Sequence, residues 1–465
     1  MRAWQIGIVG GGPGGLMTAY VLQKWANDLH RVTLFEAGHR LGGKILTPSF
    51  QTVAATYEAG AAEIYDYSHL DDDPLKELIE ELGLPVNRMD GSSAVVGNRP
   101  VANLDDLRDH LGEAAVQALL AFDCRAKDQI TPREFYATDP ETAADPLIRP
   151  GFDAVLAGIP VPAVRAYVEQ VIHSDLATEP ANTSVAYGLQ NYLMNDHAYM
   201  SLYGIAGGNE ALPRELAGRI AADVRFGHRV TGIGRAADGR MAVTAECGGE
   251  RVESAFDLVV IALPNAAFGG VAFAGARLAA AMAGHSADYD FPAHYLRVTV
   301  AFCEKFWHGR LTESYCMLDR FGGCCLYDES SRDPGSRYPV LGWLIAGAAA
   351  EAMSGKSDDE LIAEALASLP EFLGHESTGL EAGATRELAL EGRVHRWVGA
   401  VNAVPGGFNA RSLDRRHRPE PVDHPRLFVV GDYLFDSTLN GVLDSAEYVA
   451  MWLVALMAEE SGELR

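Results

Sequence analysis

The stretch Trp4-Gln5-Ile6-Gly7-Ile8-Val9 runs directly into Gly10-Gly11-Gly12-Pro13-Gly14-Gly15, and the reading of these twelve residues decides the fold. The first six are short and apolar, as a buried strand is. Leu16 to Ala26 has helical composition and no breaker. Gly10, Gly12 and Gly15 match G-x-G-x-x-G at the strand-to-helix turn. The first permits a tight turn, the second lets a pyrophosphate approach the backbone, and the third lets helix and strand pack closely. The helix N-terminus then offers free N–H groups and partial positive charge to an anion. A second apolar run, Val32-Thr33-Leu34-Phe35, ends at Glu36, 21 residues after Gly15. That is close to the spacing of about 20 residues expected for an acid that binds a ribose hydroxyl. Strand, turn, helix and acid in this order predict a dinucleotide site.

Working outward, 465 residues suffice for two or more domains and a large core. The chain is 48% hydrophobic and 22% charged, ordinary for a soluble globular enzyme. A formal net charge of −25 argues against nucleic-acid and anionic-membrane partners, which need basic patches. No apolar stretch is expected to reach the ~18 residues of a membrane span, and no signal peptide is evident. The six cysteines lack C-x-x-C spacing, so no metal site is expected and reduced thiols in the cytoplasm are the default.

The predicted organisation is a nucleotide-binding domain interrupted by a second domain. Residues 65–200 read as mostly helical, with helices from Pro74 to Glu81 closed by Gly83, from Asp105 to Leu120 and from Pro162 to Ile172. Strand character returns at Asp223–Ile233, Met241–Cys247 and Arg251–Glu253, a β-meander. Phe256 to Leu263 is an unbroken apolar run ended by Pro264, a central strand of the nucleotide sheet. Residues 295–302, 314–328 and 338–346 read as a second sheet. Ser357 with Glu360 forms a capping box. Leu427 to Asp432 is a late buried strand, followed by a long helix near Val442 to Glu460.

Four features favour a flavin over a nicotinamide. Arg40-Leu41-Gly42-Gly43-Lys44 supplies two glycines that let backbone pass under a ring, with flanking cations for phosphates. Tyr57-Glu58-Ala59-Gly60-Ala61-Ala62-Glu63 supplies another glycine turn. Gly431-Asp432 ends a strand where an aspartate can bind a ribityl hydroxyl. Asn440-Gly441-Val442 precedes the last helix, whose N-terminus can stabilise negative charge on a reduced ring.

With these motifs the chain resembles the flavin-containing amine oxidase superfamily of monoamine, polyamine and L-amino-acid oxidases. Tyr203 to Asn209 looks like the family segment that re-enters the FAD domain. Phe306-Trp307 looks like its substrate-domain Phe-Trp, and Trp397 with Pro405-Gly406-Gly407-Phe408 like the tryptophan and turn beside the flavin. The resemblance implies an α/β fold. A Rossmann-like FAD-binding domain (1–64, 204–290 and 395–465) is interleaved with an α+β substrate-binding domain (65–203 and 291–394). It implies cofactor contacts at Gly10, Gly12, Gly15, Glu36, Arg40, Gly42, Gly43, Lys44, Gly60, Ala61, Trp397, Gly431, Asp432, Gly441 and Val442. It also implies a small-molecule substrate, O2 as acceptor, and a homodimer as one possible assembly.

The chain departs from the family where substrate binds. Glu63 stands where the amino-acid oxidases carry a carboxylate-gripping arginine, and a carboxylate does not hold another without a proton or cation between them. Arg297 stands where amine oxidases carry a lysine near flavin N5. Leu296 and Val298 should take the opposite face of its strand. The two tyrosines of the monoamine oxidase cage are matched by Val404 and Val442. The cysteine that some relatives bond to flavin is matched by Phe408, so FAD is expected to be non-covalent. Tyr187 and Asn191 share a helical face at i, i+4 that can line a pocket or pack in a core. Arg320 lies between strand-like runs, where a solvated hairpin arginine is the blander alternative.

These features predict an FAD-dependent oxidase of a carbon–nitrogen bond, with Glu63, Tyr187, Arg297 and Arg320 as candidate catalytic residues. The pattern looks more like tailoring oxidases of secondary metabolism, such as one that oxidises the amide of a lankacidin-type polyketide, than like oxidases of simple amines. Alternatives are a polyamine or L-amino-acid oxidase with altered anchoring, a flavin desaturase or isomerase acting on C–C bonds, and a non-catalytic flavoprotein.

Overall fold

Ile6 and Ile8 have no exposed surface, because the strand Trp4–Val9 is flanked on both edges and covered on both faces. It runs parallel to Leu258–Ile261 on one side and His30–Phe35 on the other, with Ile8 opposite Val260 and Leu34. The computed structural model describes residues 3–26, 30–91, 93–137, 150–374, 385–405, 411–435 and 437–461. In it this strand is the centre of a five-stranded parallel sheet ordered Leu427–Val429, Leu258–Ile261, Trp4–Val9, His30–Phe35, Ala222–Arg225. Interior strands of such a sheet bury both faces, which is why their sequences are continuous apolar runs.

One face of the sheet is covered by the helices Pro13–Trp25 and Leu439–Ser461, which share an apolar core with Ile6, Leu34 and Val260. The other face is covered by the meander Arg229–Arg235, Met241–Cys247 and Glu250–Phe256. The last helix corrects one expectation. Leu439–Glu460, with mean hydropathy 1.4, is long and apolar enough to cross a membrane. Asp444 and Glu447 interrupt its apolar run in sequence, but Val442, Leu443, Ala446, Val449, Ala450 and Leu453 bury one face as a core helix does.

The second domain centres on a seven-stranded mixed sheet ordered Ala389–Asn402, Pro292–Phe302, Val340–Ala346, Cys324–Asp328, Tyr315–Leu318, Ala94–Val96, Arg99–Val101. Alternation along Pro292–Phe302 sends Leu296, Val298 and Val300 into an apolar cluster with Leu361 and Ala365 of the helix Asp358–Ala367. It turns Tyr295 and Arg297 to the opposite face. Ser357 and Glu360 form the capping box read from sequence.

Three secondary-structure readings change. Residues 65–200 are not mostly helical at their start, since Val86–Met89, Ala94–Val96 and Arg99–Val101 are strands of three or four residues. Strands that short carry almost no periodicity. The predicted helix 105–120 is two helices, Leu104–Leu111 and Glu113–Gln129, parted at Gly112 with φ +85°. The predicted strand 223–233 is two strands in different sheets, Ala222–Arg225 and Arg229–Arg235. The expected domain boundary at residue 395 falls inside Ala389–Asn402, which pairs along its length with Pro292–Phe302.

Candidate active site

The glycine turn is built by steric need at two positions and left open at a third. A Cβ on Gly10, whose φ is +111°, would lie 2.4 Å from the Ala262 carbonyl oxygen. One on Gly15 would lie 2.0 Å from the Gly10 carbonyl oxygen. The protein's own packing therefore demands glycine at both. A Cβ on Gly12 would meet nothing nearer than Gly43 Cα at 3.8 Å. The protein does not require glycine there, but a ligand pressed against the backbone would. Gly12 also caps the helix Pro13–Trp25 without a side-chain acceptor, leaving the first-turn N–H groups free for an anion.

Two cavities meet this turn from opposite sides. One, enclosing about 670 Å3 of space partly open to solvent, is lined by Gly10, Phe35, Glu36, His228 and Val230 at the ends of the first two strands. Glu36 accepts from Gly11 N at 3.0 Å and Gly38 N at 2.6 Å. Its remaining lone pairs are available to the cavity it lines. The main cavity, about 1020 Å3 and also partly open, runs from Pro13 past Lys44, Gly60, Ala61 and Asp432 to Glu63, Arg297 and Trp397. A nucleotide half on one side, a diphosphate at the turn and a ring system on the other match this pair of cavities. The residues present therefore fit FAD.

Several predicted contacts fall where expected and some do not. Gly60 is fixed because a Cβ would lie 1.8 Å from the Lys44 carbonyl oxygen. Trp397 lines the main cavity and donates from its indole nitrogen to the Ala59 carbonyl at 2.6 Å. Lys44 and Asp432, expected to meet phosphate and ribityl groups, face the cavity as an ion pair at 2.8 Å that joins the two ends of the chain. Arg40 turns back onto the carbonyls of Leu41, Gly43 and Ile45 and lines neither cavity, so it braces its own turn. Gly42 instead ties this loop to the first glycine turn, its N–H donating to the Gly11 carbonyl at 2.8 Å. Gly431 abuts the Tyr433 ring. Asn440, Gly441 and Val442 belong to the first turn of the last helix rather than preceding it, and Thr438 Oγ1 accepts from Gly441 N at 3.0 Å. The turn 406–408, with Phe408, lies outside the described residues.

The far end of the main cavity is assembled from distant segments. Glu63, beside the strand Ile64–Asp66, lies in the wall, and Tyr327 Oη donates to its Oε2 at 2.7 Å. The Arg297 guanidinium stacks 4.7 Å from the Tyr327 ring centroid and is 1% exposed. It is paired with Glu329, whose other oxygen lies 3.0 Å from Arg332 Nε. Burial opposes the charge on Arg297, but Glu329, Tyr327 and Glu63 outweigh it and raise its pKa. Its Nε and Nη1 find no hydrogen-bond partner among the described residues. Arg332 reaches on to the Ala62 carbonyl and to Glu58, 3.9 Å away. Burial pushes the Glu58 carboxyl up to about 7, although Arg332, Asn209 N and Thr47 Oγ1 all favour its ionised form. Asn209 Nδ2 donates to the Ala61 and Ala62 carbonyls, so the whole turn before Glu63 is pinned.

Among the sequence candidates, Glu63 and Arg297 come together here. Arg320 does not: it is half-exposed in the turn between Tyr315–Leu318 and Cys324–Asp328, paired with Asp319 at 2.9 Å. Tyr187, half-buried on the helix Val185–Leu193, lines neither cavity, though it is near enough to Tyr65 and Tyr295 to bear on their acidity. Asn191 is buried and donates back to the Tyr187 carbonyl at 2.7 Å. Val442 lines the main cavity as expected, but Val401 lines it rather than Val404.

Sequence reading missed Tyr65 and Tyr295, which put aromatic rings into the wall. Burial pushes both hydroxyls well up, so they stay neutral. It also missed Tyr327, Glu329 and Arg332. The position of Tyr65, two residues beyond Glu63 in a strand-like run, was the only available signal.

The comparisons agree with this geometry. A family model for flavin containing amine oxidoreductases matches residues 13–453. Cyclohexylamine oxidase from Brevibacterium oxydans IH-35A superposes with a TM-score of 0.74 at 18% identity, covering 98% of this chain and 100% of that one. A putrescine oxidase bound to putrescine superposes with a TM-score of 0.68 at 18% identity, covering 97% and 99%. At that identity the structures speak for the fold alone, while the family model spans nearly the whole chain. With a glycine turn between two cavities and a match of that extent, the chain belongs to the flavin-containing amine oxidoreductases, whose cofactor is FAD.

Proposed function

We propose that this protein oxidises a carbon–nitrogen bond of a small molecule whose nitrogen is held by Glu63, with FAD bound non-covalently and O2 as final acceptor. The observation that carries this is the Glu63 carboxylate in the cavity wall, fixed by the Tyr327 hydroxyl. A carboxylate attracts an ammonium or an amide N–H and repels another carboxylate. An α-amino acid gripped through its carboxylate is therefore a poor fit.

Bound FAD supplies the two-electron acceptance and its reoxidation by O2 to hydrogen peroxide. The chain supplies position. Ile64, Leu344, Val401 and Val442 give the cavity apolar walls that exclude water from the reacting carbon. Tyr65 offers a neutral hydroxyl able to donate to a carbonyl. Glu63 receives the proton that nitrogen loses as the C–N single bond becomes a C=N bond. An amide presents both an N–H and a carbonyl, which suits this combination and favours tailoring of a secondary metabolite such as a polyketide amide to its acyl-imine. A second reading, an amine substrate, is supported by Glu63 alone, which accepts an ammonium equally well. Cyclohexylamine oxidase and putrescine oxidase are named for such substrates.

Anaerobic mixing of the holoenzyme with N-acetylcyclohexylamine, cyclohexylamine, putrescine and leucine, followed by flavin absorbance, tests the proposal. Bleaching by the amide supports the first reading, and bleaching by the amines alone supports the second. Glu63→Gln should slow bleaching roughly 10- to 100-fold, the loss of a charged hydrogen bond, and leave the resting spectrum unchanged. Full speed in that variant ends the role given to Glu63.

A further inference from the structure

Behind Glu63 lies a second, smaller cavity that shares Glu63 and Tyr65 with the main one. Asp175, in the last turn of the helix Pro162–Leu176, lines it from the far side. Asn195, Tyr315, Cys325, Tyr327 and three methionines complete the wall. The space holds about one water molecule, with Glu63, Asp175, Asn195 and three tyrosines as polar partners. The main chain of Asp175 is engaged, its carbonyl accepting from Tyr295 Oη at 3.5 Å. Its carboxyl has no hydrogen bond or ion pair among the described residues.

We infer that Asp175 is a positioning residue for Glu63: its carboxyl donates, through one water in this side cavity, to the Glu63 carboxylate and holds that group facing the main cavity. The inference rests on the role of Glu63 proposed above.

Three observations support it. Glu63 has one oxygen committed to Tyr327, and a second donor from behind would fix its remaining freedom. Burial first, and then the Glu63 charge, push the Asp175 carboxyl well up, so it carries the proton that a donor needs. Among the described residues no cation faces it to reverse this. The groups that do are the Tyr65, Tyr295, Tyr315 and Tyr327 hydroxyls and the Cys325 thiol, all likewise raised and neutral. On its own helix His173 turns to Gly323 and Glu179, and Ser174 to Met317. Arg297 lies beyond the Tyr327 ring.

Infrared spectroscopy of the holoenzyme without substrate tests the inference. Subtracting the Asp175→Asn spectrum from wild type at neutral pH should reveal the carbonyl stretch of a protonated carboxyl. In Glu63→Gln that same band should titrate away at lower pH than in wild type, because the negative neighbour is gone. The carboxylate stretch identified by Glu63→Gln should shift in Asp175→Ala and return in Asp175→Asn, which keeps a donor. A neutral-pH difference without the carbonyl band, or a Glu63 stretch indifferent to Asp175→Ala, overturns the inference. Fast flavin bleaching by Glu63→Gln with the Asp175 bands behaving as stated would instead sink the substrate role of Glu63 and leave the coupling standing.

Discussion

The two ends of the main cavity are made in different ways. At the diphosphate end, Pro13, Lys44 and Ile45 of the wall sit on two short loops, 10–15 and 42–45, whose shape is dictated at Gly10 and Gly15 by backbone contacts closer than any side chain allows. At the far end, Glu63, Tyr295 and Arg297, with Tyr327 bonded to Glu63, arrive from three segments, and Glu58, Glu329 and Arg332 brace them. The first end is specified by local sterics and can be read as a motif. The second is specified by ion pairs and hydrogen bonds that tie the turn around residues 58–63 to Arg297, Tyr327, Glu329 and Arg332, more than 200 positions further on, and no local pattern announces it.

The difference can be broken most severely at the first end. Gly15→Ala places a methyl 2.0 Å from a carbonyl oxygen that cannot move without the strand. It should give colourless protein with a sharply lowered Tm. Gly12→Ala clashes with nothing in the protein, so it should melt as wild type without cofactor yet bind FAD far more weakly, as titration by flavin fluorescence would show. Equal behaviour of the two variants would erase the distinction between a glycine needed by the fold and one needed by the ligand.

At the second end Glu329→Gln leaves Arg297 and Arg332 without their shared counter-charge. Breaking a buried pair from one side destabilises by about 3 kcal/mol or more, which denaturant unfolding would measure. The Glu58 carboxyl sharpens the same point through pH. Its folded pKa, about 7, lies above the ordinary 4.5, so the folded state binds the extra proton between those values. Stability should therefore fall as pH rises from about 4.5 to 7, by on the order of 3 kcal/mol from this group. Glu58→Gln should flatten that fall, and a profile unchanged by the substitution would show that Glu58 ionises freely. The smallest effect is expected at Arg320, where Arg320→Ala should change stability by less than about 0.5 kcal/mol and leave flavin bleaching as it was.

How much was legible follows the same division. The parallel sheet, the meander and the capped helix from Ser357 were all readable, because each rests on periodicity or turn chemistry within one segment. Strands as short as Ala94–Val96 were not, because three residues cannot show a period and their pairing with Met317 and Leu318 is remote in sequence. Glu63 and Arg297 were legible as exceptions within a motif. Tyr295 was hidden in the same strand as Arg297 because alternation tells which residues share a face but not which face meets a cavity.

The amino-acid order alone determined that this chain cradles a dinucleotide at its first turn, since glycines spaced for backbone contact need no help from afar. It also placed a carboxylate, Glu63, where the resemblance to amino-acid oxidases leads one to expect an arginine. Only the tertiary structure decided what that carboxylate faces. Tyr327, Asp175 and, beyond the Tyr327 ring, Arg297 are brought to it by two separate strands and a helix, and long-range packing, not local propensity, sets such distances.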